Sequence, residues 1–276
     1  MSVVPPEATL AAIAQAAGAQ ALLWFMAGLV GWLATAGAAV LLAQRYLLRR
    51  SLDAAADNGR LRSLLLGLGL GFLLLLATAC VFAMLANNMA ADAPIGQFDL
   101  LLTAAIRAQS SAEVLRFFAW ITHFGDTATL TVLCIGGAAA LGLLRRPLLA
   151  LGLVAAIGGN SLLNPALKAI FERARPLHDG LAFNGWSFPS GHASGSVVAY
   201  GMLAYVALRM LPGRWHLPMI LLAAAIAFST GFSRIYLQAH YLSDVVAGFA
   251  SGTAWLVVCI GSLELARFYG EHRRQR

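Results

Sequence analysis

Three separated stretches hold the residues whose types and spacing could do chemistry. The first is Lys168-Ala-Ile-Phe-Glu-Arg-Ala-Arg175-Pro176, the second Phe188-Pro189-Ser190-Gly191-His192, and the third Ser233-Arg234 followed by His240 and Asp244. Lys168 and Arg175 are seven apart, two helical turns, so a continuing helix would set two cations on one face. Lys168 is the single lysine beside 18 arginines, which suits a site needing a compact point charge. Ser190 can cap a helix, Gly191 lets a ligand approach the backbone, and the free N–H groups of a first helical turn attract anions. His192 on that turn could give a proton to a leaving group. His240 and Asp244 are i, i+4. On a helix the carboxylate would orient the imidazole and leave its far nitrogen as nucleophile or base. Arg234 offers a planar fork to phosphate oxygens.

Each fragment also has a plainer reading: cations snorkelling at an interface, an ordinary serine cap, a structural His/Asp pair. Taken together they supply three cations, a helix N-terminus, two imidazoles and a carboxylate. That set matches an anion with several oxygens, and phosphate fits. Phosphoryl transfer needs mainly positioning and charge neutralisation. The motifs lack clustered carboxylates for Mg²⁺ or a two-metal centre, and two histidines without a nearby cysteine do not suit Zn²⁺. The expectation is a phosphatase using no metal and no cofactor.

The elements that must position these residues are membrane helices. Of 276 residues, 60% are hydrophobic and only 11% charged, with a mean hydropathy of +0.76. Soluble chains carry about 25% charged residues, so a soluble enzyme, a disordered chain and a coiled coil are excluded. Seven apolar stretches approach the ~20 residues that span a bilayer: about 21–44, 63–87, 127–144, 147–167, 193–211, 217–234 and 242–264. The N-terminus lacks the basic flank of a cleaved signal peptide and is read as part of the mature chain. Cys80, Cys134 and Cys259 sit inside apolar runs and read as buried hydrophobes. The net charge of +7 does not imply nucleic acid, because no basic stretch is interleaved with aromatics.

Loop charges orient the bundle. Arg45, Arg49, Arg50, Arg60, Arg62, Arg145, Arg146, Arg209, Arg214, Arg267, Arg273, Arg274 and Arg276 fall on one side, expected to be cytoplasmic. The other side holds Arg107, Arg116, Lys168, Arg173, Arg175 and Arg234, four of them within the motifs. The long connection 88–126 lies on that outer side. Phe98, Leu101, Leu102 and Ala105, then Val114, Phe117, Phe118 and Ile121, repeat at helical spacing, predicting two amphipathic helices on the membrane surface or against the bundle.

The three motifs resemble the three signature motifs of the type 2 phosphatidic acid phosphatase (PAP2) superfamily, over about residues 63–265. That superfamily includes membrane lipid phosphatases, glucose-6-phosphatase and soluble vanadium haloperoxidases. The resemblance implies that His240 attacks phosphorus to form a phosphohistidine, that Asp244 orients it, and that His192 protonates the leaving oxygen. Lys168, Arg175 and Arg234, with Ser190 and the Gly191 N–H, would hold the phosphate oxygens. It also implies a six-helix core with the site on the outer face. The expected fold is therefore an all-α polytopic membrane bundle: an extra N-terminal transmembrane helix and basic cytoplasmic loop in 1–62, the PAP2-like core in 63–265, and a basic cytoplasmic tail in 266–276.

The expected activity is hydrolysis of a lipid phosphate or diphosphate, of the undecaprenyl diphosphate, phosphatidate or phosphatidylglycerophosphate type, at the outer face of a bacterial inner membrane. A phosphotransferase in which a lipid acceptor replaces water remains open, since it shares the first half-reaction. A transporter would keep its ionisable groups near the midplane, whereas these gather at one boundary. A haloperoxidase would need a soluble body. The partners expected are the lipid substrate and the bilayer; the oligomeric state, Glu172, Arg173, His178, Asn184 and Trp186 receive no assignment.

Overall fold

The computed structural model describes residues 6–52, 59–176 and 185–275, and of residues 6–8, 43–52, 59–60 and 271–275 only the backbone. His178 and Asn184, and the side chains of Arg45, Arg49, Arg50, Arg60, Arg273, Arg274 and Arg276 used in the charge count, lie outside the described residues. The described residues form ten α-helices and two 3₁₀ turns, with no strand. The helices are α1 (Pro6–Ala19), α2 (Ala21–Leu52), α3 (Gly59–Asn87), α4 (Pro94–Gln109), α5 (Ala112–Ile121), α6 (Thr127–Leu143), α7 (Pro147–Phe171), α8 (Gly191–Met210), α9 (His216–Tyr236) and α10 (Leu242–Gln275). The protein is an all-α, multi-pass membrane protein.

Among the described residues seven spans are long and apolar enough to cross a bilayer, from Ala21–Leu42 to Leu242–Gly270, and each expected stretch has its counterpart. Large apolar side chains such as Leu65, Leu70, Val132, Ile135 and Leu162 face outward, as lipid-facing residues must. The helix α8 is the axis of the bundle: it packs against α7, α9 and α10 and is the most buried of the spans. Its own sequence explains why. Ser194, Gly195, Ser196, Ala199 and Gly201 keep its surface small, and α10 answers with Gly248 and Gly252 four residues apart. A Cβ on Gly248 would stand 2.6 Å from the Ser190 carbonyl oxygen, and one on Gly252 2.7 Å from that of Ser194. Backbones approach this closely only through small residues.

The two amphipathic helices exist, but the buried stripe of α4 is Asp99, Leu102, Thr103 and Ile106 together with Ala105 and Gly96. Leu101 is exposed, so the face is rotated from the Phe98–Leu101–Leu102–Ala105 row. The reason is that α4 also buries a carboxylate, which no apolar pattern registers. In α5 only Phe118 is fully buried, and Phe117 is exposed. The helix α1 had no counterpart in the sequence reading; it packs on α4. The first span, α2, docks through aromatic rings: Phe25 meets Phe118 of α5 edge-on at 5.2 Å and Phe232 of α9 at 5.1 Å, and Trp32 contacts Phe228 of α9 and Phe249 of α10.

The helix termini fix where chemistry can occur. α6, α8 and α10 begin at the end of the bundle where α3, α7 and α9 finish, so all three motifs share that end. At the other end of α8, Tyr205 donates to Glu264 at 2.5 Å, with Arg267 at 3.4 Å and Arg209 at 3.7 Å.

Candidate active site

The first motif closes a helix. Glu172 takes a left-handed conformation (φ 46°) and its N–H bonds the Lys168 carbonyl at 3.0 Å, an αL-type stop adopted here without glycine. The expected shared helical face of Lys168 and Arg175 therefore does not form, because the helix ends between them. The extended chain beyond brings Arg175 back by another route. Arg175 Nη1 donates to the Ala239 carbonyl at 2.8 Å and lies 3.4 Å from His240 Nε2, while its Nε donates to the Gly185 carbonyl at 3.1 Å. Lys168 Nζ donates to the Trp186 carbonyl at 2.6 Å, and an ammonium carries two more donors.

The second motif starts α8 as its sequence suggests. Ser190 is the N-cap and accepts the Ala193 N–H at 3.5 Å. It is fully buried, and its backbone N–H donates to the Asp244 carbonyl at 2.9 Å, which ties the second motif to the third. Asn164 of α7 braces the first turn of α8: Nδ2 donates to Ser194 Oγ at 3.2 Å. A Cβ on Gly191 would lie 3.0 Å from Asn164 Oδ1.

The third motif is a helix-to-helix turn. The end of α9 is closed by Gln238 in the left-handed region (φ 55°), and the Arg234 carbonyl accepts the N–H groups of Ala239 at 3.0 Å and His240 at 3.2 Å. His240 thus precedes α10 instead of standing on it, so the i, i+4 pair is not stacked within a helix. Asp244 lies in the first turn of α10 and its Oδ2 accepts the Tyr241 N–H at 3.0 Å, the return bond of a capping box. The same oxygen stands 3.4 Å from His240 Nδ1. The imidazole therefore turns Nδ1 to a carboxylate and Nε2 to a guanidinium. Burial holds the His240 pKa down to about 3; Asp244 opposes this, and the cations Arg234 and Lys168 add to it. The ring is neutral at ordinary pH, with a lone pair available.

Sequence reasoning missed six partners. Arg173 is sandwiched between carboxylates: Nη1 donates to Asp244 Oδ1 at 2.6 Å and Nη2 to Asp99 Oδ2 at 2.8 Å, with the guanidinium 4.3 Å over the Tyr241 ring. Burial works against its charge, but Asp244 and Asp99 outweigh it and its pKa is raised. Ser243 Oγ also bonds Asp99. Arg234 Nη1 donates to Thr122 Oγ1 at 2.8 Å, and His192 Nε2 lies 2.9 Å from Asp126 Oδ1. Asp99, Thr122 and Asp126 precede the motifs by tens of residues, and nothing local marks them. Arg173 alone had a signal, a second arginine two residues before Arg175.

A cavity of about 370 Å³ opens between the end of α3, α4 and the end of α7, lined among others by Met89, Leu100, Phe171, Arg173 and Tyr241. Among the described residues no group of three or more His, Cys, Asp or Glu is placed to hold a metal ion.

A helical membrane bundle that gathers lysine, two arginines, two histidines and an aspartate at one rim defines a phosphate-handling class. The PAP2 superfamily model matches residues 149–267. The chain is 34% identical over 174 residues to phosphatidylglycerophosphatase B of Bacillus subtilis (strain 168), covering 56% of this chain and 86% of that one. It is 32% identical over 206 residues to lipid A 1-phosphatase of Rhizobium johnstonii, covering 64% and 76%. The crystal structure of a transmembrane PAP2 type phosphatidylglycerolphosphate phosphatase from Bacillus subtilis matches with a TM-score of 0.63 at 28% identity, over 68% of this chain and 94% of that one. The chain belongs to the PAP2 superfamily, and is a phosphoric ester hydrolase of its membrane branch.

Proposed function

We propose that the protein hydrolyses a lipid phosphate or diphosphate of the undecaprenyl diphosphate, phosphatidate or phosphatidylglycerophosphate type through a phosphohistidine. The observation that carries this reading is the polarity of His240: Nδ1 toward Asp244 and Nε2 toward Arg175. An anion drawn by the guanidinium meets the nitrogen lone pair. His240 Nε2 bonds to phosphorus, the phosphorus–oxygen bond to the lipid breaks, and His192 protonates the leaving oxygen. Water then attacks phosphorus, the nitrogen–phosphorus bond breaks, and the water proton goes to His192. Lys168, Arg175 and Arg234, with Ser190 and the Gly191 N–H, hold the phosphate oxygens as charge develops on them.

In this reading residues 63–265 are the catalytic body, 1–62 an added transmembrane helix with a basic cytoplasmic loop, and 266–276 a cytoplasmic tail. The match of 94% of the Bacillus subtilis structure to 68% of this chain supports an addition to a smaller core. The arginine bias among loops supports a site on the outer face of a bacterial inner membrane. The relatives' names span three head groups: phosphatidylglycerophosphate, lipid A and, for a Mycobacterium tuberculosis protein 29% identical over 170 residues, decaprenylphosphoryl-5-phosphoribose. The test is phosphate release by purified protein from a panel of lipid mono- and diphosphates. Release from at least one lipid is expected; no release from any would overturn the reading.

A further inference from the structure

Asp126 is the N-cap of α6 but makes no side-chain capping bond. An aspartate there ordinarily accepts an N–H of the first turn. Its two oxygens go to imidazoles instead: Oδ1 lies 2.9 Å from His192 Nε2, and Oδ2 2.7 Å from His123 Nδ1. The preceding turn, Thr122–Gly125, is stitched to the site on both sides. Thr122 accepts from Arg234, and Tyr200 Oη donates to the Phe124 carbonyl at 2.8 Å. Gly125 supplies the clearance. A Cβ there would stand 2.5 Å from Thr230 Cγ2 and 3.0 Å from both His192 Cδ2 and Ser196 Oγ. Thr230 and Ser196 are fully buried on packed helices and cannot retreat. The Cδ2–Nε2 edge of His192 therefore lies against Gly125 and Asp126, and its Nδ1 is on the opposite edge.

The charges around His192 make that contact consequential. Arg234 of α9 and Arg175 of the α7–α8 connection act on it as cations, and Asp126 at the start of α6 is the carboxylate. His123 of the turn reaches the other oxygen of Asp126. A general acid must hold a proton when the substrate is bound, and the two guanidiniums repel that positive charge.

We propose that Asp126 is a positioning residue: it accepts the Nε2–H of His192 and stabilises the imidazolium, so that the Nδ1 proton is delivered to the leaving oxygen. The inference rests on the phosphatase reading of the same site and assigns a partner to its acid. As the phosphorus–oxygen bond breaks, the Nδ1 proton passes to the lipid oxygen while Nε2–H stays on Asp126. When water attacks the phosphohistidine, its proton returns to Nδ1. Asp126 neither gains nor loses a proton over the cycle.

The test compares the full-length wild type with Asp126→Asn and Asp126→Glu in detergent, on two substrates. Dioleoyl phosphatidate loses an alkoxide and needs the acid; p-nitrophenyl phosphate loses a stable phenolate and needs it far less. Asp126 is 37% exposed, so the amide leaves no buried charge unpaired. Asp126→Asn is expected to lower kcat for phosphatidate on the order of 100-fold, with a loss at least tenfold smaller for p-nitrophenyl phosphate. The basic limb of kcat/KM should move to lower pH, because the acid form of His192 is lost sooner, and Asp126→Glu should recover part of the rate. Equal losses on both substrates, an unmoved pH profile or no loss would each overturn the proposal. A wild type inert toward both substrates would overturn the underlying phosphatase reading instead.

Discussion

Arg173 Nη1 lies 2.6 Å from Asp244 Oδ1, and the opposite oxygen of that carboxylate faces His240. The candidate nucleophile is therefore oriented by an aspartate that is itself held, and Arg173 extends the hold to Asp99 on α4 at 2.8 Å. Both carboxylates are buried. Removing one partner of a buried ion pair leaves an uncompensated charge and costs about 3–5 kcal/mol. Arg173→Ala should destabilise by that order and lower activity even though Arg173 lies one layer behind His240. Thermal unfolding in detergent, beside phosphate release, checks this; a variant as stable as wild type would remove Arg173 from the framework.

His240→Ala should abolish phosphate release while the protein still inserts and unfolds cooperatively. The motive is the placement of Nε2 beside Arg175, which no neighbouring group duplicates in the proposed chemistry. Turnover by the purified alanine variant would refute the nucleophile assignment.

Acid should weaken the fold through His240. Its folded pKa is about 3, against 6.5 for a free histidine. Between those values the unfolded chain binds a proton that the folded protein refuses. Stability is thus complete above about pH 6.5 and declines as pH falls, by up to about 1.4 kcal/mol per unit. Unfolding of wild type and His240→Gln from pH 7 to pH 4 should show the steeper loss in wild type. Parallel curves would contradict a buried neutral imidazole.

Chelation should leave activity intact. Lys168, Arg175 and Arg234 supply the positive charge that a metal would otherwise bring to the transferring phosphoryl group. Phosphate release measured with and without EDTA is expected to agree within error; loss in chelator restored by Mg²⁺ would show a metal step.

The gap between what pattern and packing reveal is visible at particular residues. The spans were legible because lipid demands runs of apolar side chains and complete backbone hydrogen bonding, and both are local properties. The motifs were legible because lysine, arginine and histidine in so apolar a chain are costly and stand out. A shared face for Lys168 and Arg175 requires a continuing helix, and the left-handed stop at Glu172 leaves no mark in a residue that is not glycine.

The order of the elements along the chain, their membrane character and the cations, imidazoles and carboxylate of the three motifs were thus determined by the sequence alone. Tertiary structure decided which charges meet. Asp99 finds Arg173, Thr122 finds Arg234 and Asp126 finds His192 because small residues on α8 and α10 let helix ends converge at one rim. Partners 66 to 112 residues apart in the chain are joined by packing, which periodicity along a single helix cannot encode.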